Sequence, residues 1–324
     1  MKPLPRIRIA SLPTPVEKLP RLSAAVGGVV LSIKRDDQTG LAFGGNKTRK
    51  LEYLVAEAQA NGARTLITTG AIQSNHCRQT AAAAARFGFE CILVLAGEAG
   101  LDHGTTANLL LDQLLGAKIV WTSLTERDAT LEAVFRDAWS AGKRPYLVPY
   151  GGSSPVGAAA YAFALQELLE QKTHPDTIVV ASSSGGTQAG LALGKDLFGF
   201  HGKILGISID EPAGRLKPRV ANLANQIADL LDVKIHLDPD DIWVDDHYLG
   251  AGYGIPSPEE IEAVRLFART EGILLDPVYT GRAAAAMLDL IHRGAFQPGE
   301  QVLFWHTGGN PALFAGRYQE ILTG

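Results

Sequence analysis

The sequence predicts an α/β protein with open, twisted, mainly parallel sheets flanked by helices. Two patterns predict it: short runs that are almost continuously apolar, and helix-length segments between them nearly from end to end. A third observation, the length of 324 residues, suits two such sheets and hence two domains. In chain order the strand-like runs are 29–33, 65–69, 91–95, 118–121, 146–148, 177–181, 204–209 and 302–305. Helical patterns fall at 47–60, 75–86, 125–140, 155–170 and 282–292. The first of these helices has its start signal in Gly44-Gly45-Asn46, a turn followed by Asn46 as the expected N-cap. No repeat, low-complexity tract or linker interrupts the alternation.

Composition removes several classes of function. With 46% hydrophobic and 20% charged residues, the chain reads as an ordinary globular protein. A net charge of −4 and a pI near 6.1 argue against nucleic acid as the partner. The longer apolar stretch 81–96 is broken by Arg86 and Glu90, and residues 1–12 lack a signal-like apolar core, so no membrane partner is expected. Cys77 and Cys91 have no metal-ligand spacing, and a reduced, cytoplasmic compartment fits them best.

In open α/β sheets, ligands bind beyond the carboxyl ends of the strands, which selects three loops rich in small polar residues. They are 70–76, 182–190 and 306–310. Ser182-Ser183-Ser184-Gly185-Gly186-Thr187 looks like an anion cradle, where small residues let backbone N–H groups and a helix start crowd a phosphate. It is neither a Walker A loop nor Gly-x-Gly-x-x-Gly. Gln73-Ser74-Asn75-His76 offers a second site, for a small carboxylate, with Asn75 able to bond a ring hydroxyl. Lys47 lies in the first turn of its helix with Arg49 and Lys50 close by. Helix dipole and neighbours both disfavour its ammonium form, leaving an amine able to attack an aldehyde. A neutral lysine, a phosphate cradle and a carboxylate site together point to pyridoxal 5'-phosphate.

These segments resemble the D-cysteine desulfhydrase and 1-aminocyclopropane-1-carboxylate deaminase family, pyridoxal-phosphate enzymes of fold type II. The resemblance runs from Pro13-Thr14-Pro15 to Pro311-Ala312-Leu313-Phe314. It is carried by Ile33-Lys34-Arg35-Asp36-Asp37, the segment 44–52, the Gln73-Ser74-Asn75-His76 turn and Asp276-Pro277-Val278-Tyr279. It implies that Lys47 is the Schiff-base lysine and that Asn75 stands near the ring hydroxyl. Ser184, Gly185, Gly186 and Thr187 would cradle the phosphate. Gln73, Ser74, His76, Tyr253 and Tyr279 would face an amino-acid substrate. A large domain of residues 1–49 and 158–324, a small domain of 50–157 and a homodimer are also implied.

Two positions separate the family's branches. The deaminases carry a glutamate and a leucine where this chain has Thr280 and Thr307, as in the desulfhydrase-like branch. A carboxylate beside the pyridine nitrogen favours its protonated form and a strong electron sink; a threonine hydroxyl can only donate to an unprotonated nitrogen. Opening a cyclopropane needs the stronger sink, whereas eliminating a good leaving group from Cβ needs less. The expected reaction is therefore α,β-elimination, with the Cα proton falling to Lys47 or Ser74 and Tyr279 facing the reacting substrate. D-cysteine is the leading substrate. The short segment 96–108 departs from the longer, Asn-rich one expected in enteric desulfhydrases, which keeps L-cysteate open. Deamination of 1-aminocyclopropane-1-carboxylate, and non-catalytic binding of an amino acid by the same loops, also stay open.

Overall fold

A computed structural model describes residues 1–97 and 106–323. Most of the segment 96–108, whose shortness keeps L-cysteate open, lies outside the described residues. The chain opens with β1 (Val16–Lys18), α1 (Pro20–Ala25), β2 (Val30–Arg35) and α2 (Asn46–Ala60). Next come β3 (Thr65–Ala71), α3 (Asn75–Phe87), β4 (Glu90–Ala96), α4 (Ala107–Leu114), β5 (Lys118–Thr122), α5 (Arg127–Ser140) and β6 (Pro145–Leu147). After α6 (Pro155–Glu170) follow β7 (Thr177–Ser182), α7 (Gly186–Phe198), β8 (Lys203–Ser208), α8 (Ala213–Leu231) and β9 (Trp243–Asp245). The last elements are α9 (Pro258–Glu271), α10 (Thr280–His292), β10 (Gln301–His306) and α11 (Gly316–Thr323).

The strands form two sheets. One has six strands in the order β1-β2-β10-β7-β8-β9, all neighbours parallel except the β1–β2 pair; the other has four parallel strands in the order β5-β4-β3-β6. The α/β class with helix-flanked parallel sheets read from the sequence is the class observed. Alternation along β10 explains its unbroken apolar run. Val302 and Phe304 pack with Phe267 and the alanines of α10 on one face, while Leu303 and Trp305 pack with Tyr161, Leu165 and Leu168 of α6 on the other. In the smaller sheet, Leu66 and Leu93 face Leu51, Leu54 and Ala81 of α2 and α3, and Ile67 and Ile92 face α5.

Two details differ from the sequence reading. The N-cap of α2 is Gly45, at φ +120°, and Asn46 is already the first helical residue. The edge strands β1 and β9 have no apolar run: each is three residues long, and neither has a fully buried residue. No helix among the described residues is long and apolar enough to cross a membrane.

Candidate active site

The carboxyl ends of β3, β7 and β10 and the start of α2 converge on one pocket. Its wall includes Asn46, Lys47, Ser74, Asn75, His76, Tyr150, Ser184, Gly185, Thr187, Tyr253, Tyr279 and Thr307. Two glycines let α2 approach so closely. A Cβ on Gly308 (φ +94°) would lie 2.6 Å from the Cα of Gly45, and one on Gly45 would lie 2.6 Å from the Gln79 side chain. The Asn46 N–H donates to the Thr307 carbonyl at 2.9 Å, and its side-chain amide donates to the Thr187 hydroxyl at 3.1 Å. Asn46 thus ties the lysine's helix to the Ser-Gly loop instead of capping it.

Lys47 keeps a little access to water through the pocket. Burial nevertheless lowers its ammonium to about 8, partly offset by contact with the Lys50 amine. The sequence attributed this to the helix dipole and to Arg49 and Lys50, but Arg49 is bound instead to Asp36 and Glu167, and the Lys50 contact raises the value. Lys50, named in the sequence only as a neighbour of Lys47, has a second place in the site that the sequence reading missed. It is fully buried, donates to the Gly151 carbonyl (3.1 Å) and the Ser153 hydroxyl (3.2 Å), and has no carboxylate partner among the described residues. Burial and the neighbouring Lys47 charge push its amine well below the ordinary lysine value. A polar side chain one helical turn from Lys47 was the only available signal.

The loop after β7 lies against Lys50. Gly185 has φ +82°, and the Ser184 and Ser153 hydroxyls are 2.8 Å apart. A Cβ on Gly186 would stand 2.3 Å from the Ser153 hydroxyl oxygen and 3.0 Å from the Lys50 nitrogen. The first N–H groups of α7 have no acceptor within the helix. Glycine here makes room for the Ser153 hydroxyl and the Lys50 amine, and that buried amine, without a counter-charge among the described residues, backs the loop.

At the other side, Ser74 caps α3 by accepting from the Cys77 N–H at 3.2 Å. His76 lies 2.9 Å from the Thr68 hydroxyl through Nε2, and that hydroxyl donates to the Val148 carbonyl at 2.8 Å. The ring therefore carries its proton on Nε2 and presents a buried, unpartnered Nδ1. Burial, reinforced by Lys47 and Lys50, holds it well below the usual histidine value and so neutral. The Tyr253 and Tyr279 hydroxyls are 2.6 Å apart, and burial raises both phenols.

Three expected residues do not reach the pocket wall. Gln73 turns its amide toward α4, donating to the Thr106 carbonyl (3.1 Å) and accepting from the Asn108 N–H (2.9 Å). Gly186 lies behind the cradle as the first residue of α7. Thr280 is fully buried, and its hydroxyl donates to the Asp276 carboxylate at 2.7 Å while accepting from the Asp276 N–H at 2.8 Å. Its one hydrogen is spent on the turn, so only Thr307 of the two threonines has a hydroxyl on the wall. No carboxylate lines the pocket among the described residues.

Residues 7–308 match the family model described as pyridoxal-phosphate dependent enzyme. This chain belongs to that family. It is 44% identical over 318 residues to a D-cysteine desulfhydrase of Salmonella choleraesuis (strain SC-B67), covering 96% of both chains. It also superposes on the crystal structure of an ACC deaminase homologue with a TM-score of 0.90 at 37% identity, covering 98% of this chain and 95% of that one. The residues present fit the family's cofactor: a depressed lysine for an aldehyde, and a glycine cradle backed by buried Lys50 for a phosphate. As a cofactor-dependent enzyme, the chain is more than an amino-acid binder.

Proposed function

We propose that this enzyme eliminates the Cβ substituent of a small amino acid, with D-cysteine as the substrate. Water is consumed, and pyruvate, sulfide and ammonia are released. The observation that carries this reading is the pocket wall: Thr307 supplies a hydroxyl and no carboxylate is present among the described residues. The cofactor, bound with its aldehyde at Lys47, supplies a carbonyl for the substrate amine and a ring that takes up electrons at Cα. A ring without a facing carboxylate is a weaker sink, enough for loss of a thiolate and poor for opening a cyclopropane. The name of the Salmonella relative, at 44% identity, supports the same substrate.

Lys47 and Ser74 are the groups proposed to move the Cα proton. Lys47 is the base once the substrate amine has replaced it, since burial favours its neutral form. Ser74 Oγ accepts a helix N–H, and the dipole of α3 favours negative charge there. Ser184, Gly185, Gly186 and Thr187 would hold the cofactor's phosphate, and Asn75 would hold its ring hydroxyl. His76 Nδ1, neutral and unpartnered, suits the substrate's ammonium or thiol, and the Tyr253–Tyr279 pair closes the substrate side. The two sheets support a small domain of 50–157 between the halves of a large one. Reduced, buried cysteines suit the cytoplasm. Leu110 and Leu114 of α4 and the nearby Phe314, all exposed, offer a face for a second copy in a homodimer.

The test is sulfide and pyruvate release from D-cysteine, with L-cysteine, L-cysteate and 1-aminocyclopropane-1-carboxylate run beside it. Release from D-cysteine, lost in Lys47→Ala, is expected. Sulfite from L-cysteate alone, or 2-oxobutanoate from the cyclopropane acid, would replace this substrate assignment.

A further inference from the structure

Arg78 is fully buried on α3, three residues beyond Asn75, and makes no ion pair with any described carboxylate. Its guanidinium instead joins three segments around the pocket. One nitrogen donates to Oδ1 of Asn75 (3.3 Å) and Oδ1 of Asn108 (3.1 Å), and another to the carbonyl of Gly44 (2.8 Å), in the turn that launches the Lys47 helix. Asn108, at the start of α4, donates through Nδ2 to Asn75 Oδ1 (3.0 Å) and to the Gln73 carbonyl (2.9 Å).

These contacts determine which way the Asn75 amide faces. An arginine only donates, and Asn108 Nδ2 is fixed as a donor by the Gln73 carbonyl, so Asn75 Oδ1 is the acceptor of both. Its Nδ2 is the half left for the pocket. Asn75 can therefore give a hydrogen bond to a ligand oxygen but not accept one from it.

The charge of Arg78 is left without compensation. Burial lowers its guanidinium to about 10, which still leaves it cationic at neutral pH. The acids facing it are Asp112 of α4 and Asp276 of the turn before α10. Burial pushes the Asp112 carboxyl up to about 8, and neither of its oxygens has a hydrogen-bond partner. The Asp276 carboxylate is occupied with Val278, Tyr279 and Thr280. An uncompensated buried cation is costly, and an apolar side chain would fill the space more cheaply if packing were the only need.

We propose that Arg78 is a positioning residue which, with Asn108, fixes Asn75 so that it donates to the cofactor's ring hydroxyl oxygen and keeps that oxygen ionised. The inference rests on the proposed placement of the ring hydroxyl beside Asn75.

The test is the pH dependence of the visible absorbance of the cofactor-loaded protein, compared with Arg78→Gln, Arg78→Lys and Asn108→Ala. Each variant that holds one cofactor per chain should titrate with its midpoint raised, by about one unit or more in Arg78→Gln and Asn108→Ala. Arg78→Lys keeps the charge but not the fork, so it should shift less. If Arg78→Gln does not fold, Asn108→Ala decides by the same readout. An unmoved midpoint in a fully loaded variant, even one of lower activity, would overturn the role of Arg78 and leave the site reading intact. No visible band in the unaltered protein supplied with cofactor would overturn both.

Discussion

Replacing Asp36 with asparagine removes the charge at the centre of the network that anchors the Lys47 helix. The fully buried carboxylate accepts from Arg49 Nε (3.0 Å) and an Arg49 terminal nitrogen (2.8 Å), Thr14 (2.9 Å), Tyr161 (2.6 Å) and Trp305 (2.9 Å). Arg49 also holds Glu167 of α6 at 2.8 and 2.9 Å, and lies two residues beyond Lys47. Asparagine is nearly isosteric, but its NH2 would face a donor and the guanidinium would lose one of its two carboxylates. Breaking a buried pair in this way costs about 3–5 kcal/mol. At about 2–4 °C per kcal/mol for chains approaching this size, the melting temperature should fall by about 6–20 °C.

The pH dependence supplies a second readout. Burial alone would raise the Asp36 carboxyl, but the Arg49 guanidinium outweighs it and holds the group below its ordinary value. Its contribution is therefore fully present above the unfolded value of about 3.9 and is lost as pH falls through the lower native one. Thermal melts of D36N and the unaltered chain should differ at pH 7 and converge in acid. A shift of less than about 2 °C at pH 7 would refute the reasoning, since five charge-directed bonds cannot be exchanged for an amide so cheaply.

Lys50→Met should weaken cofactor binding by about 10–150-fold, the equivalent of one charge-assisted hydrogen bond. An absorbance titration of cofactor-free protein measures this, and unchanged affinity would remove Lys50 from the phosphate site. Uptake of cofactor by the same protein should quicken as pH rises and level off above about 8, where Lys47 becomes neutral. The sign follows from the chemistry, because only the unprotonated amine attacks an aldehyde; a rate flat from pH 6 to 9 would contradict it.

The alternation of apolar runs and helices made the α/β class legible, and strand-end loops marked where a ligand would sit. Local pattern was insufficient wherever a side chain's role depends on a distant partner. Asn46 has the composition of a cap, yet Gly45 takes that position and Asn46 reaches across to Thr187. Thr280 adjoins a recognisable motif, but its hydroxyl closes onto Asp276 four residues earlier in the chain. Nothing near Lys50 or Arg78 in sequence reveals that both are fully buried. The edge strands β1 and β9 were too short and too polar to announce themselves.

The central claim, that Lys47 carries the cofactor and neighbouring Lys50 does not, is tested most directly by borohydride reduction. The loaded protein is reduced, digested, and the modified lysine located by mass spectrometry. The account predicts one pyridoxyl group per chain, on Lys47. Modification of Lys50 or of a surface lysine, with Lys47 recovered free, would contradict it.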